Sequence, residues 1–173
     1  DRVDLTVEQF YRNMAAAPAL PETAAPSPGA FEQAFNRAKD DGADAVINLI
    51  AILQGSEAEF QRVHVDLPRR IAQACAEAGV SRLVHVSALG VAVDAPSNYL
   101  RSKAAGEAAL SAAGLDLTIL RPSVIFGADD RFLNLFAELQ TLFPLMPLAG
   151  RDARFQPVWV EDVAEAIVRC LQR

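Results

Sequence analysis

Lysine is almost missing from this 173-residue chain. Of its 16 basic residues only Lys39 and Lys103 are lysines, and against 22 acidic residues the net charge is −6. A chain with this acidic balance is not built to track phosphates or an anionic membrane surface, so no nucleic-acid partner is expected. Cysteine is scarce as well. Cys75 and Cys170 are too few and too far apart for a disulfide scaffold or a cysteine zinc site. No apolar run reaches transmembrane length and the first residues lack a signal-peptide pattern, so no integral membrane segment is expected. These absences leave a cytoplasmic globular protein as the expectation. What is present suits one: 51% of residues are apolar and 22% charged, enough to bury a core. The length fits one domain, or one and a piece of another.

Two organisations follow one another along the chain. Thr6 and Gln9 have the spacing of a capping box, and Phe10 and Met14 repeat at helical spacing. Pro18, Pro21, Pro26 and Pro28 mark an extended loop, and Phe31, Ala34, Phe35 and Ala38 form the stripe of a second helix ended by Gly42. The period then changes. Ala45 to Ile50, Arg82 to Ser87 and Asp116 to Leu120 are short runs rich in apolar and β-branched residues, read as parallel strands buried on both faces. Helices are predicted between them, at about Glu57 to Ala78, broken or bent near Pro68, and at Asn98 to Ala113. Further helices are predicted at Asp130 to Phe143 and Asp162 to Leu171, with an extended piece at Phe155 to Val160. The alternation gives right-handed crossovers and a parallel α/β sheet with flanking helices.

The strongest chemical feature is Tyr99-Leu-Arg-Ser-Lys103. Residues four apart share a helix face. A tyrosine ionises near pH 10, too high for acid–base work at neutrality, and an ammonium one turn away favours the phenolate. A solvated Tyr–Lys pair is the plain alternative. Ser87 ends a predicted strand, where a hydroxyl can polarise a carbonyl, though a serine satisfying a turn is common. Asn48, with Leu49 beside it, and Arg121-Pro122-Ser123 end the other two strands. Ligands of open α/β sheets bind beyond the carboxyl ends of the strands, so these features mark one site for a small-molecule substrate. His64 and His85 read as core or surface imidazoles, Cys75 as a buried thiol, and Trp159 as core or lid packing. An exposed sheet edge would invite homo-oligomers.

Ser87, Tyr99-x-x-x-Lys103 and Arg121-Pro122-Ser123-Val-Ile-Phe-Gly127, in that order, resemble the extended and atypical short-chain dehydrogenase/reductase superfamily. The stretches ADAVINLIAIL, RLVHVSALG, NYLRSKAAGEAAL and RFQPVWVEDVAEAI are similar to the branch that includes the NAD(P)H-binding accessory subunit of respiratory complex I and bacterial nucleoside-diphosphate-sugar-epimerase-like proteins. The resemblance runs from about Ala43 to the end and implies a Rossmann fold that binds NAD(P). It implies Tyr99 as the acid–base residue, Lys103 on the nicotinamide ribose and Ser87 on the substrate. Asn48, Leu49, Arg121, Pro122 and Ser123 would line the cofactor, and Val158 to Asp162 would border the substrate cleft. It further implies an accessory, non-catalytic role as the alternative to turnover.

One family feature is missing. The family opens with a strand and a Gly-rich turn that holds the pyrophosphate at a helix N-terminus. Residues 1–42 contain only Gly29 and Gly42, so impaired cofactor binding is expected. That stretch instead resembles DegV-type fatty-acid-binding proteins. Pro21-Glu-Thr23-Ala-Ala-Pro26-Ser27-Pro28 matches their loop, with Thr23 as the lipid-carboxylate contact. The expectation is therefore a chimera joined near Gly42 to Val46, with a DegV-like segment at 1–42 and a partial Rossmann-like domain at 43–173.

Overall fold

The computed structural model describes residues 42–128 and 154–172, with the single positions 40 and 141. The helix–loop–helix predicted for the first 41 residues, with Thr23, falls outside them but for Asp40, as does the helix predicted at 130–143 but for Thr141.

Three parallel strands form the centre: β1 (Ala45–Asn48), β2 (Arg82–Val86) and β3 (Asp116–Leu120), in the order β1-β2-β3. The register sets Val46 beside Leu83 and Leu83 beside Leu117, and one step on Ile47 beside Val84 and Val84 beside Thr118. Side chains alternate across a strand, so each strand feeds two cores. On one face Leu83 packs with Ile71, Ala72, Ala74, Cys75 and Leu110, and with Val46 and Leu117 at the margin. On the other, Val84 packs with Ala164, Ile167 and Val168, and with Ile47, Val86 and Leu120. Both layers are helical. The first is α2 (Leu67–Ala78) and α3 (Asn98–Ser111); the second is α4 (Val160–Leu171). The strands predicted from their unbroken apolar runs are thus covered on both sides. Two two-residue strands, β4 (Ile125–Phe126) and β5 (Val158–Trp159), pair in parallel beyond the end of β3.

The helix predicted at 57–78 is continuous but not uniform. It opens as α1 (Glu57–Phe60), whose capping box is complete: Ser56 Oγ accepts from the Glu59 N–H, and Glu59 Oε2 accepts from the Ser56 N–H at 2.8 Å. A π-helical segment, Gln61–Asp66, follows and leads into α2. Pro68, at the start of α2, has no N–H to offer the carbonyl four residues back, that of His64. The chain relaxes by one extra residue per turn, with the Leu67 N–H reaching the Arg62 carbonyl. The break or bend expected near Pro68 takes the form of a change of helical register. The helix ends at Gly79, whose φ of 72° is the left-handed conformation a glycine cap supplies.

The π segment lies against α3, and the approach is close. A Cβ at Gly106 would stand 1.9 Å from the His64 carbonyl oxygen. The backbones meet there because residue 106 has no side chain. At the opposite edge of the sheet, Arg82 bonds the Asp116 carboxylate at 2.9 Å, the Thr118 hydroxyl at 3.0 Å and the Cys170 carbonyl at the end of α4.

Candidate functional site

The face of the sheet that is apolar at Val46 and Leu83 turns polar one pleat further on, at Asn48 and His85. Both are buried, with 2% exposure each. Asn48 Nδ2 donates to His85 Nδ1 at 3.1 Å, and Asn48 Oδ1 accepts from the Ile50 N–H at 3.1 Å. Asn48 is thereby committed to holding the loop after β1. Leu49, beside it, is half exposed.

Lys103 is buried on the sheet-facing side of α3, and its Nζ donates to the Val86 carbonyl at 2.9 Å. Burial lowers its pKa, against the opposing pull of Glu107. Ser87 follows Val86. Its N–H bonds the Leu120 carbonyl at 2.7 Å, which fixes the backbone, while its buried Oγ has no hydrogen-bond partner. The hydroxyl lies near enough to Glu107 to help hold that carboxyl low, without reaching bonding geometry. Tyr99 stands one turn before Lys103, its ring edge-on to His64 with centroids 5.4 Å apart and to Phe60 at 6.4 Å. Burial pushes its phenol upward. The expectation that Lys103 draws Tyr99 down is therefore not met: the ammonium is anchored on the Val86 carbonyl, and loss of water around the phenol prevails.

Glu107 was missed by the sequence reading, although the signal was there. Tyr99, Lys103 and Glu107 step along α3 four apart and share its buried face. Glu107 is 6% exposed and takes both arms of Arg121, with Nε to Oε1 at 3.0 Å and a second, shorter bond from Nη2. Desolvation works against its charge, yet the carboxyl is held below its ordinary range by Arg121 and Ser87. Arg121, expected on the cofactor, is engaged by Glu107. The Pro122 carbonyl accepts from the Leu89 N–H at 2.8 Å, tying together the loops after β2 and β3. Ser123 is half-buried in the second of these. Trp159, expected in core or lid packing, is 49% exposed on β5.

Arg121→Ala is expected to destabilise the fold. It strands a buried carboxylate, but the guanidinium is half exposed and screened, which keeps the loss below that of a fully buried pair. Urea denaturation at pH 7 measures it, and an unchanged midpoint would refute the pairing as a structural tie.

A parallel sheet clad by helices on both faces, with a Tyr–Lys pair and an unpaired buried serine at its carboxyl edge, defines a Rossmann-type nucleotide-binding α/β fold. The family model described as NAD(P)H-binding matches residues 1–173, and the chain belongs to that family. Among curated relatives, the mouse (Mus musculus) protein "NADH dehydrogenase [ubiquinone] 1 alpha subcomplex subunit 9, mitochondrial" is 44% identical over 128 residues, covering 72% of this chain and 34% of the relative. The "Ceramide reductase" of Caulobacter vibrioides is 36% identical over 129 residues, covering 73% of this chain and 40% of the relative. The chain spans about a third of the mouse protein's length. Among solved structures, the Bordetella bronchiseptica enzyme WbmG in complex with NAD superposes with a TM-score of 0.64 at 22% identity, over 82% of this chain and 51% of that one. A dTDP-4-dehydrorhamnose reductase from Clostridium acetobutylicum gives 0.66 at 18% identity, over 79% and 55%. These two carry the fold alone.

The comparisons leave one reading without support. Neither the DegV-type resemblance of residues 1–42 nor a join near Gly42 finds support, and the NAD(P)H-binding match runs through both segments.

Proposed function

We propose that this chain supplies the nicotinamide-side half of an NAD(P) site that transfers hydride to or from a carbon bearing oxygen. The observation that carries the reading is the buried Ser87 hydroxyl, without a hydrogen-bond partner, on the residue that follows the Val86 carbonyl holding the buried Lys103 ammonium. A buried donor without a full hydrogen bond is costly, by up to about 1–3 kcal/mol, and a ligand oxygen would complete it. Bound there, NAD(P) supplies or accepts the hydride. Ser87 orients the substrate oxygen and Tyr99 gives or takes its proton. Lys103 has three donors and spends one on Val86, which leaves reach for a ribose hydroxyl. Asn48, Leu49, Pro122 and Ser123 border the same edge.

The residues suit the nicotinamide end better than the diphosphate. The helix start after β1 is filled by its own Glu59 carboxylate, α3 is capped by Ser97, and α4 opens with Glu161 and Asp162. Among these described helices, the first two have their leading N–H groups taken by their own caps, and the acidic first turn of α4 repels a diphosphate.

A second reading, nucleotide binding without turnover, is favoured by Tyr99. Its phenol is pushed away from working range, and relatives carry the name of a respiratory-complex subunit. A cytoplasmic setting belongs to the first reading, supported by free thiols at Cys75 and Cys170, whereas those relatives are mitochondrial by name. No described helix is long and apolar enough to cross a membrane. Pairing of copies along β1, an outer strand among the described residues, is the proposed route to an oligomer, read by light scattering after size exclusion.

Titration with NADPH and NADH tests the main reading. Lys103→Met is expected to weaken binding at least about tenfold. Tyr99→Phe is expected to leave binding intact and to cut hydride transfer about 100-fold. No binding at millimolar cofactor would overturn the cofactor assignment for this chain. Unchanged behaviour of Tyr99→Phe in every measurement would favour the second reading.

A further inference from the structure

His64 is 2% exposed, and the chemistry proposed above makes no use of it. A buried polar side chain is costly unless its hydrogen bonds are made, and here both ring nitrogens are engaged. The Ile52 N–H can only donate, so His64 Nε2, 3.1 Å away, accepts. The proton of the neutral ring therefore sits on Nδ1, which donates to Ser102 Oγ at 2.8 Å. The Ser102 hydroxyl in turn donates to the Tyr99 carbonyl at 2.8 Å. One unbroken chain runs from the loop after β1, through the imidazole, to the turn of α3 that carries Tyr99. The ring also stands edge-on to Tyr99, at 82°.

The backbone follows the same logic. The π-helical register brings His64 to this position, and Gly106 lets its carbonyl lie against α3. A phenylalanine would fill the same space without a polar cost, so packing alone does not account for an imidazole bonded at both ends. Burial and the nearby Lys103 charge push it down to about 4. It stays neutral, accepting at one nitrogen and donating at the other, throughout the neutral range.

We propose that His64 is a positioning residue that ties the loop after β1 to the Tyr99 turn of α3, holding the cofactor side and the proton-transfer side of the site in one register. The proposal rests on the reading of Asn48 and Leu49 as cofactor-lining and of Tyr99 as the proton-transfer group.

The test uses the whole chain with labelled isoleucine and tyrosine in a Tyr11→Phe background, so that Tyr99 gives the one tyrosine signal. His64→Phe keeps the ring contacts and removes both hydrogen bonds. It is expected to speed amide exchange at Ile52 at least about tenfold and to shift the Tyr99 resonances in the same sample. His64→Gln, which retains an acceptor, is expected to restore most of both. Should His64→Phe not fold, Ser102→Ala cuts the same chain at its other end and is read in the same way. A change at Ile52 with Tyr99 unmoved, or the reverse, overturns the proposal. Titration of the same samples with NADPH keeps the two claims apart. Loss of NADPH binding in the parent chain would defeat the cofactor reading while the paired Ile52 and Tyr99 response still decides the role of His64. Where the parent binds, His64→Phe is expected to weaken NADPH about tenfold.

Discussion

Replacing Gly106 with alanine is expected to destabilise the protein by about 3 kcal/mol, against the trend for helices. In a helix interior alanine is favoured over glycine by about 1 kcal/mol. Here the added Cβ would lie 1.9 Å from the His64 carbonyl oxygen. The obstacle is backbone, which cannot rotate aside as a side chain would, so α3 or the π-helical segment must move bodily. Overpacking that forces backbone shifts typically costs 1–3 kcal/mol and sometimes more, which outweighs the propensity gain. The midpoint of thermal unfolding should fall by roughly 10 °C for a chain of this size. The tie to Pro68 gives a second measurement. Pro68→Ala restores an N–H that draws the His64 carbonyl back along its own helix, so the double variant should lose less than the sum of the two single ones. Strict additivity, or a stabilised Gly106→Ala, would show that the two backbones do not meet as described.

Acid should weaken the fold well before its carboxylates titrate. His64 and His85 are each pushed from 6.5 down to about 4, chiefly by burial and then by the Lys103 charge. Glu107 pulls His85 the other way, and Asn48 holds its Nδ1 as an acceptor. The native imidazoles therefore refuse protons that the unfolded chain accepts. Their contribution is complete above about pH 6.5 and is lost as the pH falls toward 4. A displacement of that size corresponds to about 3 kcal/mol for each ring, so the pair sets an upper bound of about 6. Glu107, held below its ordinary range, adds its own loss only below about pH 4.5. Urea midpoints at pH 7.5, 6 and 5 measure the effect. His64→Phe and His85→Phe should each flatten the profile, whereas a midpoint constant from 7.5 to 5 would contradict neutral buried rings.

The strands were legible because their cause is local: short apolar, β-branched runs can only be buried on both faces, and β1, β2 and β3 fall where those runs are. Pro68 announced an irregularity, but its form depended on α3 lying alongside, which no local pattern states. The Tyr99–Lys103 spacing placed both residues on one face and could not say where the ammonium would go. The Val86 carbonyl, on another element, decided that. Glu107 continued the same four-residue step and was readable from it. The roles of His64 and His85 were not, because their partners lie 12 to 38 residues away in sequence. β4 and β5, with two residues each, are too short for any periodicity to register.

Arg82 bears on what this scaffold can tolerate. One guanidinium fastens β2 to β3 and to the end of α4, all at the edge remote from Ser87. The carboxyl edge is held differently, by single bonds from Asn48, His64 and the Pro122 carbonyl to loop amides. Durability and chemistry are thus assigned to opposite ends of the same strands. Loops at the working end can be lengthened or exchanged while the far end keeps the sheet in register. Substitution of Arg82 would spread its damage over the whole sheet and leave no single contact to repair.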